Sequence, residues 1–292
     1  MKLKRKNLVW IFRKKAEKVA STYMRGYQLS ELIKSRINNF DITYTNEDNL
    51  ELIKDSIVFL TKGFLKDVSE EELLKLKSGN NIICVDFVDD PEKEAIVEII
   101  DVLIASSISQ SIYYKNQYPN KYTHIITHHT DPDIPLISLE PKDVKIGYFG
   151  ELLNAKWNNE LSSQVDFILT NTKTRSRDWI EHLKRYNFHY AVRQRRDIDG
   201  FKPFLKGFTA AKCGACIIVP EFESDSRYYL SNDYPYLLKN DDLNSALNMI
   251  EFVKSSYMKQ DWKIAKEIMA DVHFRSTDDY IAGEVNRLIT SL

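Results

Sequence analysis

The stretch 202–220, "KPFLKGFTAAKCGACIIVP", has the pattern of a helix followed by a buried strand. A run of small residues and a glycine precede the apolar segment 215–220. Lys202 and Lys206 stand four residues apart, which is one helical turn, so they are predicted to share a face at the start of the helix predicted for 203–213. Apolar strands separated by helices are typical of parallel sheets covered on both faces.

This alternation recurs in two series. The predicted strands are 7–12, 40–45, 55–61, 81–88, 101–106 and 123–128, then 144–150, 165–171, 189–193 and 215–220. Helices are predicted in the gaps, including 151–163, 175–187 and 203–213. The proline-containing segment 132–142 separates the series. We therefore predict an α/β protein with two doubly wound Rossmann-like domains, 1–140 and 141–258, and a helical tail, 259–292.

Composition excludes several classes of protein. A length of 292 residues suits two domains. A net charge of -1 and a pI of 6.6 argue against binding nucleic acid through overall charge. Three cysteines cannot form a disulfide framework, which indicates a reducing cytoplasm, and the sequence lacks an apolar run of 18 residues that could span a membrane. The basic start "MKLKRK" predicts peripheral contact with the anionic inner face of a membrane, with a solvated terminus as an equal alternative.

Ligands of doubly wound sheets bind beyond the carboxyl ends of the strands, so polar residues there are candidates. In "STYMRGYQLSEL" of the first series, Arg25 could hold an anion and Gly26 could let the backbone approach a ligand. The alternative is a turn glycine beside a surface arginine. Further along, Asp89 to Pro91 is predicted to begin a helix, with aspartate as its cap.

The segment "THIITHHTDPDIP" places two histidines and two aspartates after a predicted strand. His128 or His129 could act as a base or bind substrate, with Asp131 beside them. Two metal-binding alternatives are a His-His-x-Asp set and the Asp-Pro-Asp tripeptide. Proline turns collect aspartates for structural reasons, so a structural reading stays open.

In the second series, Arg193, Lys202, Lys206 and Thr209 cluster around a strand end and a helix start. Helix N-termini attract phosphate through free N–H groups and the helix dipole, so this cluster predicts phosphate contact. The alternative is a solvated lysine face.

Two carboxylates follow the next strand directly. Glu221 and Glu223 could accept hydrogen bonds from ribose or sugar hydroxyls, or could cap the next helix. Cys213 and Cys216 lack a second cysteine pair for zinc and are interpreted as small core residues.

The region "GFTAAKCGACIIVPEFESDSRYYL" (207–230) resembles the C-terminal half of glycosyltransferases with the GT-B fold. "VKIGYFGELLN" is similar to the opening of that domain, with Gly150 at the donor site. "STYMRGYQLSEL" resembles the loop after the first strand of the family's N-terminal domain, and "THHTDP" resembles the segment in which the family places an acceptor-side or sugar-side histidine. The resemblance implies two domains facing across a cleft. It also implies a nucleotide-sugar donor, a glycan or lipid-linked glycan acceptor, and C-terminal helices that pack back on the first domain.

The sequence departs from the family at one motif. Phe201 and Thr209 stand where many retaining members carry a Glu-x7-Glu pair. Lysines in that region predict a grip on the donor phosphate that stabilises a leaving group without a metal or other cofactor. The alternatives are a metal-dependent transferase using Asp-Pro-Asp, an inactive nucleotide- or sugar-binding module, and a nucleotide-sugar epimerase of the same fold.

Overall fold

The computed structural model describes residues 6–138, 142–170, 177–194, 201–223 and 225–292. These residues form two compact units. The first unit contains residues 6–129, 201–203 and 278–292, and the second contains the described residues of 130–194 and 204–277.

The first unit is built on a parallel sheet of six strands in the order β2-β1-β3-β4-β5-β6. Its strands are β1 (Lys6–Phe12), β2 (Phe40–Asn46), β3 (Ser56–Thr61), β4 (Ile82–Asp86), β5 (Val102–Ala105) and β6 (Tyr122–Ile125). Its helices include α1 (Ala20–Thr22), α2 (Leu29–Lys34), α3 (Lys62–Leu65), α4 (Glu70–Ser78), α5 (Glu94–Ile99) and α6 (Ile108–Gln117). Short 3-10 turns lie at Lys14–Ala16 and Glu47–Leu52.

Alternate residues of β1 enter two separate cores, as the period of a strand requires. Leu8 and Trp10 pack with residues of α2 and of the C-terminal helix (Asp278–Ser291). Val9 and Ile11 pack with residues of α3 to α6 on the other face. This double coverage explains why the central strands are almost wholly apolar.

The segment between α1 and α2 is a π-helix, Tyr23–Gln28. Arg25, Gly26 and Gln28 are buried there. A Cβ atom at Gly26 would lie 3.0 Å from Cε2 of Tyr44, so glycine lets this turn pack tightly on the sheet. The structure therefore places Arg25 and Gly26 inside a helical segment, whereas the sequence predicted a loop before it.

The second unit contains a parallel sheet of five strands in the order β11-β10-β9-β7-β8. Its strands are β7 (Ile146–Gly150), β8 (Asp166–Leu169), β9 (Phe188–Tyr190), β10 (Cys216–Pro220) and β11 (Leu237–Leu238). Its helices include α7 (Asn159–Ser162), α8 (Asp178–Leu183), α9 (Leu205–Lys212), α10 (Ser226–Leu230), α11 (Leu243–Ser256) and α12 (Gln260–Phe274), with a 3-10 turn at Leu152–Asn154.

The helical tail divides between the units. Ala265, Met269 and Val272 of α12 lie in the core of the second unit. Ile281, Val285 and other residues of the C-terminal helix lie in the first. The two helices predicted together for 259–292 thus belong to different units, and only the last one packs on the first sheet.

Hydrogen bonds between residues distant in the sequence explain why two elements have bounds that differ from the predicted ones. The strand predicted for 123–128 ends at Ile125, and the next two carbonyl oxygens accept hydrogen bonds from Arg25. The helix predicted for 151–163 is interrupted, because the Lys156 N–H donates to the carbonyl oxygen of Val192.

The predicted start of one helix is wrong. Helix α5 begins at Glu94 after Lys93, so Asp89 is not its cap.

The basic stretch at residues 1–5, on which the predicted membrane contact depends, lies outside the described residues. Over the described ranges, every helix is too short or too polar to cross a membrane.

Candidate functional site

The carboxyl ends of β10, β9 and β7, which are adjacent in the second sheet, form the first candidate site. Gly150 ends β7, Arg193 follows β9, and Glu221 and Glu223 follow β10. Helix α9 runs from β9 to β10, so its first turn returns to the same edge with Lys206. This is the edge at which doubly wound sheets bind ligands.

The ammonium group of Lys206 is buried, and Nζ has no hydrogen-bond partner among the residues that the structure describes. Nζ lies 3.8 Å from the centroid of the Tyr148 ring. Burial, followed by repulsion from Arg193, lowers the pKa of Lys206 to about 7, while Glu223 acts in the opposite direction. A buried amine without an acceptor makes this position a candidate for contact with an anion.

Two glycines give Lys206 its place. A Cβ atom at Gly207 would lie 1.9 Å from Cε1 of Phe204, so only glycine allows the first turn of α9 to pack on that ring. A Cβ atom at Gly150 would lie 2.8 Å from the hydroxyl of Tyr148 and 3.4 Å from Nζ of Lys206. Glycine at 150 therefore keeps the space beside the ammonium group open, and glycine at 207 allows the helix to pack on Phe204.

Arg193 and Glu223 complete this cluster. Nε of Arg193 lies 3.6 Å from Oε1 of Glu223, and their side chains are 17% and 10% exposed. The backbone of Arg193 is held by an antiparallel bridge to Ala155. With Lys206 protonated, this cluster holds two cationic side chains, of which Arg193 is close to a carboxylate, and such cations can contact a phosphate.

The other two predicted donor-site residues of this unit lie nearby. Thr209 is three residues after Lys206 in α9 and therefore on the same side of the helix. Glu221 accepts a hydrogen bond of 2.8 Å from Nη2 of Arg227.

Lys202 does not share a helical face with Lys206. It precedes α9, and its ammonium group pairs with Asp89 within the first unit. Nζ of Lys62 lies 2.5 Å from the other carboxylate oxygen of Asp89. Burial raises the pKa of Asp89, but hydrogen bonds from Lys202 and Lys62 outweigh it and bring the pKa to about 2. The contacts of Lys202 thus show an ion pair instead of the predicted phosphate grip.

Arg25 is also engaged. Its Nε donates to Oδ2 of Asp86 at 2.6 Å, and its Nη1 and Nη2 atoms donate to the carbonyl oxygens of Thr127 and Ile126 at 2.8 Å each. The side chain is fully buried. Arg25 therefore ties the π-helix to the ends of β4 and β6, and its contacts are those of a structural residue instead of the predicted anion ligand.

The two predicted catalytic histidines are buried beside this arginine. Nε2 of His129 lies 3.2 Å from Oε1 of Gln28, and Nδ1 of His128 lies 3.3 Å from the carbonyl oxygen of His129. Burial, with the charge of Arg25, lowers the pKa of His128 to about 3. His128 is therefore neutral near pH 7.

Asp131 belongs to the second unit, not with the histidines. Its carboxylate accepts hydrogen bonds of 3.2 Å and 3.0 Å from Arg177. Asp133 pairs with the same guanidinium group. Both carboxylates of the Asp-Pro-Asp tripeptide are thus engaged by one arginine. Among the described residues, no group of three or more His, Cys, Asp or Glu side chains is arranged to hold a metal ion.

Two residues of the second unit were missed from the sequence. Tyr148 lies beneath the Lys206 ammonium group, and its hydroxyl donates to the carbonyl oxygen of Glu151 at 2.7 Å. His189 of β9 is buried, and the charge of Lys206 acts on it. The sequence could have pointed to His189, because it is a lone titratable residue in an otherwise apolar strand.

Comparison with known proteins gives structural matches only. No protein-family model matches the sequence, and no curated protein does. A glycosyltransferase from Rickettsia africae matches with a TM-score of 0.69 and 8% identity over 99% of both chains. Sucrose-phosphate synthase from Thermosynechococcus elongatus has a TM-score of 0.64 and 12% identity, covering 98% of this chain and 99% of that one. Anabaena HepE, in complex with UDP, has a TM-score of 0.61 and 10% identity, covering 98% and 100%.

At these identities the likeness concerns the fold alone. It extends over nearly the whole chain, and it agrees with the two parallel sheets and the helical tail described above. The chain has the GT-B fold of these glycosyltransferases.

Proposed function

We propose that this protein transfers a sugar from a nucleotide-sugar donor to a hydroxyl group of a glycan or lipid-linked glycan. The observation that carries the proposal is the buried ammonium group of Lys206, which lacks a hydrogen-bond partner among the described residues. It lies at the ligand-binding edge of the second sheet, beside Arg193 and Glu223. Proteins with the same fold include HepE, solved with UDP, and GtfA, solved with UDP and GlcNAc.

In the proposed reaction the donor phosphates contact Lys206 and Arg193. Negative charge grows on the phosphate oxygens as the bond to the sugar breaks, and a fixed cation stabilises that charge. Thr209, on the same side of α9 as Lys206, would donate its hydroxyl proton to a phosphate oxygen. Glu223 would accept a hydrogen bond from a sugar hydroxyl while it keeps Arg193 in place.

UDP binding tests the phosphate site directly. Isothermal titration calorimetry at pH 7 would compare the parent with Lys206→Ala and with Lys184→Ala. Lys184 is 58% exposed and pairs only with a neighbouring glutamate in the contacts seen, so it is a matched control. Loss of a charge-assisted hydrogen bond should weaken UDP binding by about ten- to a hundredfold for Lys206→Ala. Equal affinity of the parent and Lys206→Ala would overturn the phosphate assignment.

Two measurements separate the proposal from its rivals. Hydrolysis of a nucleotide-sugar above background would exclude an inactive binding module. Transfer activity that survives excess EDTA is expected, because lysine and arginine charges supply the leaving-group stabilisation. Loss of activity in EDTA with recovery on added metal would instead support the metal-dependent reading.

Contact with a membrane surface remains a separate proposal, based on the basic residues at the start of the sequence. Each lysine or arginine near an anionic surface contributes about 1 kcal/mol. Co-sedimentation should therefore be greater with anionic vesicles than with neutral ones. Equal binding to both would refute this contact.

A further inference from the structure

The amine of Lys206 lies over the face of a buried aromatic ring, that of Tyr148 in β7. Nζ is 3.8 Å from the centroid of this ring, and the Tyr148 side chain is fully buried. The face of an aromatic ring attracts a cation within about 6 Å of its centroid, most strongly where water is excluded. The contact therefore favours the charged form of Lys206, whereas burial of the amine disfavours it.

Three contacts fix the Tyr148 ring beneath Lys206. The tyrosine hydroxyl donates to the carbonyl oxygen of Glu151 at 2.7 Å. A Cβ atom at Gly150 would lie 2.8 Å from this hydroxyl and 3.1 Å from Cζ, so glycine leaves the space that the ring fills. The ring of Phe167 packs against it, with 5.4 Å between the centroids. Tyr148 is thus a fixed support for the amine.

A ring face holds an ammonium group without using its hydrogen-bond donors. A carboxylate in the same place would accept one or two of the three N–H donors and would cancel the charge. The Tyr148 ring does neither, and Nζ of Lys206 has no hydrogen-bond partner among the described residues. An ammonium group supported in this way keeps its donors and its charge for an anion.

We propose that Tyr148 is a positioning residue for Lys206, whose ammonium group its ring holds in place and keeps charged while the donor phosphate is bound. The inference rests on the proposed phosphate site. It requires the electron density of the ring face at position 148, as well as the volume of the ring, to determine the affinity for a phosphate ligand.

The charge on Lys206 decides at which pH the ring matters most. Arg193 after β9 opposes this charge and Glu223 after β10 favours it, while burial lowers the pKa of His189 in β9 to about 3 and leaves its imidazole neutral. The pKa of Lys206 without ligand is about 7, so the amine is mostly neutral at pH 8 and mostly charged at pH 6. A phosphate binds the ammonium form. At pH 8 the ring therefore stabilises a cation that forms on binding, whereas at pH 6 the cation already contacts the ring.

Ring fluorination tests the inference at nearly constant volume. Position 148 would carry phenylalanine, or phenylalanine with one, two or three ring fluorines, which withdraw electron density from the ring face in steps. Isothermal titration calorimetry of the full chain would measure binding of UDP and of inorganic pyrophosphate at pH 6 and pH 8. We expect the trifluorinated ring to bind both about tenfold more weakly than Tyr148→Phe at pH 8 and about twofold at pH 6. These values follow from a decrease of about one unit in the pKa of Lys206.

Tyr190 provides a matched control in the same sheet. It is buried in β9, and its hydroxyl also donates to a carbonyl oxygen, that of Lys156 at 2.8 Å. In the described part of the chain its ring contacts Phe167 instead of a cation. The fluorinated series at position 190 should leave UDP affinity within about twofold at both pH values. Tyr148→Phe keeps the ring and should stay within about threefold of the parent.

The outcomes separate this inference from the proposed function. If the parent binds UDP and every ring at position 148 gives the same affinity, or if positions 148 and 190 respond alike, the inference fails and the proposed function stands. If the parent binds neither UDP nor pyrophosphate, both fail. If pyrophosphate affinity falls with fluorination at position 148 alone but UDP does not bind, the inference stands for an anion site and the nucleotide-sugar function fails.

Discussion

Replacing Lys206 by methionine should stabilise the ligand-free protein while it weakens binding of the donor. Methionine fills nearly the same volume and carries no charge. The pKa of Lys206 is lowered from 10.5 to about 7, chiefly by burial. At about 1.4 kcal/mol per pKa unit, the buried charge costs about 5 kcal/mol at most. Because the side-chain stem of Lys206 is partly exposed, we expect the free energy of unfolding of the variant to exceed that of the parent by about 2–4 kcal/mol.

The sign of the pH dependence follows from the depressed pKa. Between pH 7 and pH 10.5 the unfolded chain retains a proton on Lys206 that the folded chain lacks, so the stability of the parent rises with pH. The loss of stability that the buried charge of Lys206 causes in the parent is complete below pH 7 and falls to roughly half by pH 9. The advantage of Lys206→Met should therefore be largest at pH 6 and should shrink as the pH rises.

Thermal denaturation of the two proteins at pH 6, 7, 8 and 9 measures this effect. For a unit of this size the gain corresponds to a rise of about 5–15 °C in the melting temperature at pH 6. The exposed control Lys184→Met should change stability by less than about 0.5 kcal/mol at each pH. A variant that is no more stable than the parent at pH 6, or a gain independent of pH, would refute the reasoning.

Two further predictions separate structural from ligand-binding positions. Arg25→Met leaves the carboxylate of Asp86 buried without its cation and should lower the free energy of unfolding by about 3–5 kcal/mol, measured by urea denaturation; unchanged stability would show that the ion pair is not structural. UDP affinity of the folded variant should stay at the parent value. Gly207→Ala places a methyl group against the ring of Phe204 and should lower both the melting temperature and UDP affinity. Gly283→Ala is the control, because its added methyl group would meet its nearest heavy atom at 3.6 Å, and it should be neutral or slightly stabilising. Similar losses of melting temperature and UDP affinity in both alanine variants would refute the packing argument.

Much of the fold was predictable because strand composition reports burial directly. Each of the ten predicted strands overlaps an observed one, since strands covered on both faces must be apolar throughout. Strand β11 was missed because two residues are too few to show a pattern. The π-helix was also missed, because Gly26 beside Arg25 was interpreted as part of a loop or turn between the first strand and its helix. Its extra residue per turn depends on packing against the sheet.

The candidate site was predictable only in part. Position after a strand identified Arg193, Glu223 and Lys206 correctly as neighbours at one sheet edge. The same rule selected Arg25, whose carboxylate partner is 61 residues away in the sequence. The sequence near a residue does not show such a distant partner. A polar residue that binds a ligand therefore cannot be distinguished by local sequence from one that pairs within the protein.

Charge balance distinguishes the two sheets where local pattern does not. At the carboxyl edge of the first sheet, Arg25 is paired with Asp86 and Lys62 with Asp89, so each of these cations already has an acceptor in the protein. At the edge of the second sheet, Nζ of Lys206 is buried and has no hydrogen-bond acceptor among the described residues. A buried charge persists only where something compensates it, or where its pKa falls far enough to neutralise it. Without ligand, the lowered pKa of Lys206 lets the amine lose its charge. A bound anion would instead compensate the charge of the ammonium group. This difference supports placing the proposed phosphate site at the second sheet, whereas the cations of the first sheet stabilise the first unit through their ion pairs.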